Sequence, residues 1–373
     1  MKVLIAPDSF KDSLNAMEVA NAIANGILEV DNSAEIQKIP LADGGEGFTN
    51  ALILAQGGNE VEVEVLDPLQ RPIKATYGIL SDGTAIIEMA AASGIELLTL
   101  EERNPLVTST IGTGMMIRDA IQRGSRKIII GIGGSATNDG GVGMAKALGY
   151  RFLNSNDQPI PEGGGFLNQL HHIDNKNVMP ELQQVEILVA CDVTNPLTGS
   201  NGASAIYGPQ KGATAEMVNQ LDKNLDHLAK IVKDQLNIEV LKIPGGGAAG
   251  GLGAGLVAFA NGKLQSGFDI VSQQTELEEA VANCDLVFTG EGKIDGQTIH
   301  GKTPWGVAQI ALKYDKPVIG IAGTLGEGYQ QLFHEGFKSI FSISQGPSDL
   351  QYCLKNASRL IKETAVQIFR LVN

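Results

Sequence analysis

Short apolar runs alternate with 3.6-period stretches at both ends of the chain. Lys2–Ala6 reads as a strand. Asn15 and Glu18 have capping-box spacing ahead of Val19, Ile23 and Ile27, which predicts a helix to about Glu29. Ile36–Leu41 reads as a second strand, and the helix after it stops at Gly57-Gly58. Two strand–loop–helix units with short loops predict a parallel sheet. The pattern changes at Val61–Val65, where apolar and acidic residues alternate strictly. Ile73–Leu80 and Thr84–Met89 continue as strands around a Ser-Asp-Gly turn, an antiparallel meander. Gly112–Arg123 reads as a helix, Arg126–Ile130 and Val185–Ala190 as buried strands, and Thr214–Leu236 as a long amphipathic helix. The strand–helix alternation then returns. Strands are expected at Asp285–Thr289, Pro317–Ala322 and Ser339–Ser344, and helices at Thr303–Tyr314, Tyr329–Glu335 and Leu350–Val372.

The last three strands resemble the first two in pattern. The fold class is therefore α/β with two α/β domains: a parallel-sheet domain that is discontinuous in sequence, and an inserted mixed α/β domain. The expected borders are 1–58 plus 266–373 for the first and 59–265 for the second. A length of 373 residues suits two cores better than one.

Composition narrows the function. The 46 glycines and the 5% aromatic content suit an α/β enzyme with many ligand or hinge loops. A net charge of −14 disfavours nucleic acid and anionic membranes as partners, yet leaves room for an anionic small substrate in a cleft lined by a few lysines. Cys191, Cys284 and Cys353 are far apart and form neither a disulfide framework nor a thiolate metal site. The apolar start is too short for a signal peptide, and Gly245–Ala260 is too short and glycine-rich to span a bilayer. A soluble cytoplasmic protein is expected, with self-association into a homo-oligomer left open. The five histidines lack metal-ligand spacing, and no Gly-x-Ser-x-Gly elbow is present.

The chemistry-bearing stretches follow predicted strands. Gly131–Gly143 reads Gly-Ile-Gly-Gly-Ser-Ala-Thr-Asn-Asp-Gly-Gly-Val-Gly and opens a helix. Its glycines can turn backbone N–H groups toward an anion, and Ser135, Thr137, Asn138 and Asp139 are more polar side chains than a tight turn needs. A turn packed under a helix is the plainer alternative. Residues 131–136 also fit a loose dinucleotide fingerprint, but no acidic residue closes the next strand. Gly245–Gly251 suits a phosphate cradle or a close helix–strand contact equally. Gly296–Thr303 satisfies the Walker A spelling. It is discounted because the strand is expected to end about six residues earlier and Pro304 follows. Asp43, Asp139, Asp192, Glu291 and Asp295 are expected in loops after strands, beside Lys11, Lys211, Lys293 and Lys302. Phosphoryl transfer needs such carboxylates for Mg²⁺ or for the attacking hydroxyl, and such cations for the moving phosphate. Taken singly, each carboxylate could be an N-cap or turn residue.

Pro7-Asp8-Ser9-Phe10-Lys11, Ala42-Asp43-Gly44-Gly45-Glu46-Gly47, Ile132–Gly141, Cys191–Leu197, Tyr207–Gly212, the 245–251 glycines and Thr289–Asp295 together resemble the type-1 glycerate kinases of bacteria, in order and along the whole chain. The resemblance implies two α/β domains, one of them flavodoxin-like, an active site in the cleft between them, and no P-loop. It implies phosphorylation of D-glycerate by ATP with Mg²⁺, most often to 2-phosphoglycerate. The expected roles are then as follows. Asp192, favoured over Asp43, orients the glycerate hydroxyl, and Lys11 binds the substrate carboxylate or the transferring phosphoryl. Asp8, Ser9, Gly133, Gly134, Ser135, Thr137, Asn138, Asp139, Asn195 and Lys211 bind substrate or phosphate. Gly245, Gly246, Gly247, Gly250, Gly290, Gly292, Lys293 and Lys302 bind ATP, and Glu291 or Asp295 holds Mg²⁺ directly or through water. The alternatives are a 3-phosphoglycerate-forming kinase, a nicotinamide-dependent hydroxy-acid dehydrogenase and a non-catalytic sugar-acid sensor.

Overall fold

The computed structural model describes residues 1–42 and 47–372. In chain order the strands are β1 (Lys2–Ile5), β2 (Glu35–Lys38), β3 (Gly58–Leu66), β4 (Pro72–Leu80), β5 (Ala85–Glu88), β6 (Lys127–Gly131), β7 (Arg151–Leu153), β8 (His172–Asp174), β9 (Glu186–Ala190), β10 (Lys263–Gln265), β11 (Leu286–Ile294), β12 (Val318–Leu325) and β13 (Phe337–Ser342). The described residues fall into two compact units. One holds residues 1–42, 50–57 and 268–372; the other holds 47–49 and 58–267.

The first unit is built on a sheet of order β13-β12-β11-β1-β2, parallel throughout. Counted within the sheet this is 2-1-3-4-5, the doubly wound order of flavodoxin-like proteins. The helix Ala16–Val30 begins at the capping box read from the sequence. Asn15 Oδ1 accepts from the Glu18 N–H and Glu18 Oε2 accepts from the Asn15 N–H, both at 2.9 Å. Its apolar stripe, Val19, Ile23 and Ile27, packs with Leu360, Ile361 and Phe369 of the helix Leu350–Val372 to cover Val3, Ile5 and Ile321 of the sheet.

The second unit has a mixed sheet of order β10-β9-β6-β5-β4-β3. Strands β10, β9, β6 and β5 run parallel, and β4 and β3 return antiparallel as the meander predicts. Strands β7 and β8 form a separate antiparallel pair. Helix Ala215–Leu236 buries Leu221, Leu225, Leu228 and Val232, one stripe at three- and four-residue spacing.

Two elements differ from the sequence expectation. Strand β11 runs on to Ile294, because Glu291, Lys293 and Ile294 pair with Ala322, Thr324 and Leu325 of β12. Glycines and charged residues hide this extension from an apolar-pattern reading. Gly290, Glu291, Gly292 and Lys293 are thus strand residues, not loop residues. Tyr329–His334 is a 3₁₀ stretch in place of an α-helix. Among the described residues, no helix is long and apolar enough to cross a membrane.

Candidate active site

In a parallel sheet of this order, ligands bind beyond the strand carboxyl ends, where the connections diverge. In the first unit that point lies between β1 and β11. The chain leaving β1 is stitched to β11: Ala6 and Asp8 N–H groups donate to Phe288 O and Gly290 O, both at 2.8 Å, and the Thr289 hydroxyl donates to Ala6 O at 2.8 Å. The Asp8 carboxylate accepts from the Ser9 N–H at 2.6 Å and from the Thr303 hydroxyl at 2.7 Å. Glu291 accepts from the Thr298 hydroxyl at 2.9 Å and faces Lys302 Nζ at 3.4 Å. Burial pushes the Glu291 carboxyl above its ordinary range, opposed by Lys302 and Thr298. Asp295 pairs with Lys293 at 2.9 Å, and that bond holds its carboxyl below the usual range. Lys11 is exposed and makes no ion pair among the described residues. Asp8, Ser9, Lys11, Gly290, Glu291, Gly292, Lys293, Asp295 and Lys302 are therefore gathered at one sheet end. Thr298 and Thr303, which hold the two carboxylates, went unread as site residues. Their signal was a threonine following each of the glycines at 296 and 301.

Strand β11 ends close to Gly296, so the gap used to discount the Walker spelling is shorter than expected. The other objection stands. Lys302 is the N-cap of helix Thr303–Lys313 with Pro304 in the first turn, and its ammonium faces Glu291.

The second unit holds most of the other candidate residues. Asp139 is 1% exposed, and its carboxylate accepts from Thr110 N–H and Oγ1–H (both 2.8 Å), Gly141 N–H (3.0 Å) and Gly143 N–H (3.1 Å). Four internal donors use up its acceptor sites, so it shapes the loop and has little left for a ligand. Burial raises its carboxyl, opposed by those donors. Ser135, Thr137 and Asn138 are buried too; of the candidate residues in this loop only Gly133 and Gly134 are exposed. Lys211 is 1% exposed and donates to Ser135 Oγ at 2.7 Å and to Thr137 O at 2.6 Å. It ties the loop from inside. The dinucleotide fingerprint at 131–136 lacks its helix start, since the helix begins only at Val142.

Gly245, Gly246, Gly247 and Gly250 are also buried, as close packing of two backbone segments requires. At Gly250 (φ +67°) a Cβ would stand 1.9 Å from Thr137 O, so only glycine lets the two segments touch. Asn195 is partly exposed, accepting from Tyr207 Oη–H at 2.7 Å and donating to Asn201 O at 2.9 Å. Asp192 is exposed at the carboxyl end of β9, where its Oδ1 accepts from Gly267 N–H at 3.0 Å. Asp43 lies outside the described residues.

Burial brings the Lys211 ammonium down from 10.5 to about 7, with Asp139 opposing. Between those values the unfolded chain binds the proton and the folded chain does not. Stability should therefore rise as pH increases from about 7 toward 10.5. The slope from one such group is roughly 1.4 kcal/mol per pH unit. Denaturant melts at stepped pH should show this rise in the wild type and a flatter profile in Lys211→Met.

Carboxylates, hydroxyls and lysines gathered at the switch point of a parallel sheet are the equipment of a phosphoryl-transfer enzyme. The chain matches the glycerate kinase family over residues 3–373. It is 51% identical over 358 residues to the "Glycerate 2-kinase" of Escherichia coli K12, covering 96% of this chain and 94% of that one. It is 49% identical over 367 residues to a "Glycerate kinase" of Halalkalibacterium halodurans, covering 98% and 97%. A crystal structure from Salmonella typhimurium LT2 that carries a glycerate kinase 2 assignment superimposes with a TM-score of 0.92 at 49% identity, covering 100% of this chain and 98% of the other. The chain belongs to the glycerate kinase family. It is a kinase with ATP as phosphoryl donor and glycerate as acceptor.

Proposed function

We propose that the chain transfers the γ-phosphoryl group of ATP to the 2-hydroxyl of D-glycerate, giving 2-phosphoglycerate and ADP, in the cytoplasmic breakdown of glycerate and sugar acids. Near full-length likeness to the E. coli glycerate 2-kinase carries the choice of hydroxyl. A reducing compartment suits the three free cysteines.

The residues at the β1–β11 switch point fit this chemistry. Lys11 and Lys302 would meet the phosphate charge, while Thr303 and Ser9 hold the Asp8 carboxylate in one orientation. Asp192, with one oxygen held by the Gly267 N–H, is a fixed acceptor for the hydroxyl proton. Among the described residues no three His, Cys, Asp or Glu side chains converge as a dedicated metal cage. Mg²⁺ in kinase sites needs only one or two carboxylates besides phosphate oxygens and water. Glu291 fits that demand, being largely buried with a lysine no closer than 3.4 Å, and Asp295 stands four residues on. Bound there with ATP, Mg²⁺ would neutralise phosphate charge as it shifts toward the leaving oxygen.

ADP release measured with ATP, D-glycerate and stepped Mg²⁺ tests this reading. Turnover is expected to fall to background with excess EDTA and to return with added Mg²⁺. Undiminished turnover in EDTA would remove the metal from the account.

A further inference from the structure

The amino ends of β12 and β13 frame a cavity of about 480 Å³, at the opposite end of the first unit's sheet from the β1–β11 cluster. That volume suits a small organic ligand. Its walls come from the end of helix Thr303–Lys313, the turn into β12, the end of the 3₁₀ stretch Tyr329–His334 and the start of β13. Leu312 and Phe333 give it apolar sides, yet they are 56% and 43% exposed. A ligand with an apolar body would take that surface out of water, which is favourable in proportion to the area covered.

The lysines of the cavity lack partners. Nearby, Lys313 pairs with Glu278 at 3.3 Å, and Glu335 accepts from Trp305 Nε1 at 3.1 Å and from Gln309 Nε2 at 3.2 Å. Lys316 and Lys338 line the cavity and enter no ion pair among the described residues. Asp315 is the one acid among the lining residues, and it pairs with neither lysine. A backbone irregularity sets Lys338 there. Val318 pairs with Phe337 but Ile319 pairs with Ser339, so Lys338 is the extra residue of a bulge in the edge strand β13. A bulge gives up regular pairing to re-aim a side chain, and bulges are over-represented next to active sites. On a chain of net charge −14, two unpaired lysines at an apolar cavity are a local reversal of sign, suited to an anion.

We infer that this cavity is a second ligand site, away from the β1–β11 cluster, for a small amphiphilic anion. An apolar body of one or two rings lies against Leu312 and Phe333, and its phosphate or carboxylate group meets Lys316 and Lys338. The cavity belongs to the first unit alone, and the inference does not rest on which hydroxyl is phosphorylated.

Isothermal titration of the full chain with 1-naphthyl phosphate and with 1-naphthoate tests it, with 1-naphthol and inorganic phosphate as controls. At least one of the two anions should bind once per chain with a Kd of about 0.1–1 mM, ordinary for a ligand of this size. Both controls should bind at least about tenfold more weakly, since each offers only half of the recognised chemistry. The double variant Lys316→Gln/Lys338→Gln and the single variant Leu312→Asp should each weaken anion binding at least about fivefold, while kcat with ATP and glycerate stays within about twofold of wild type. The two variants change different parts of the wall, so either one decides the matter if the other does not fold. No binding by either anion, equal binding of 1-naphthol, binding that the variants leave unchanged, or displacement of the anion by ATP would overturn the inference. Sedimentation showing a dimer that Leu312→Asp dissolves would assign the face to a second copy of the chain and overturn it as well.

Discussion

Asp192→Asn should lower kcat by about 10²–10⁴-fold, the range lost with a positioned general base, and leave ATP binding nearly unchanged. The substitution is close to isosteric. An asparagine carbonyl can still accept from the Gly267 N–H that holds Asp192 Oδ1 at 3.0 Å. What disappears is the second acceptor, replaced by an NH₂ group that cannot take a hydroxyl proton. Fold and side-chain placement are therefore expected to persist, and the loss should fall on turnover. Asp192 also stands at the carboxyl end of β9, where functional groups of parallel sheets collect, and it is exposed there. Steady-state kinetics with titration of an unreactive ATP analogue would check the split. Turnover within a few-fold of wild type would exclude Asp192 as the group that orients the hydroxyl.

Lys11→Met should lower kcat by about 10²–10³-fold, comparable to removing one preorganised donor from a developing charge. Lys11 follows β1 at the switch point, is exposed and has no carboxylate partner among the described residues. Lys293 and Lys302 differ in this respect, since each already faces an acid, at 2.9 and 3.4 Å. An unpaired cation can give its full charge to an arriving phosphoryl group. Because Lys11 is exposed and uninvolved in packing, the melting temperature should hardly move. Lys11→Arg should recover part of the rate. A loss confined to KM with kcat intact would make Lys11 a ground-state contact and not one made in the transition state.

Much of the architecture was legible because it rests on local pattern. The capping box at Asn15 and Glu18, the alternation in β3 and the stripe of Leu221, Leu225, Leu228 and Val232 all come from periodicity that the fold obeys. The fivefold parallel sheet followed from the same alternation at both chain ends. The extension of β11 did not, because Gly290, Glu291 and Gly292 carry no apolar signal and are held as strand by register with β12.

The site was only partly legible, and the reason is burial. Glycine runs at 131–143 and 245–251 look alike in sequence whether they cradle a ligand or let two backbones touch. Here Gly250 meets Thr137 O, and the polar residues from Ser135 to Asp139 point into the protein. Lys211 was read as a loop cation, and its two bonds to Ser135 and Thr137 are invisible in the sequence. The β1–β11 cluster was read more fully, since each of its motifs directly follows or extends a strand of one parallel sheet.

Phosphorus NMR of the product made from ATP, Mg²⁺ and D-glycerate tests the central claim most directly. The account predicts a resonance matching authentic 2-phosphoglycerate, with its phosphorus coupled to the C2 proton. A resonance matching 3-phosphoglycerate, coupled to the C3 protons, would contradict the choice of hydroxyl, and no phosphorylated glycerate at all would contradict the kinase reading itself.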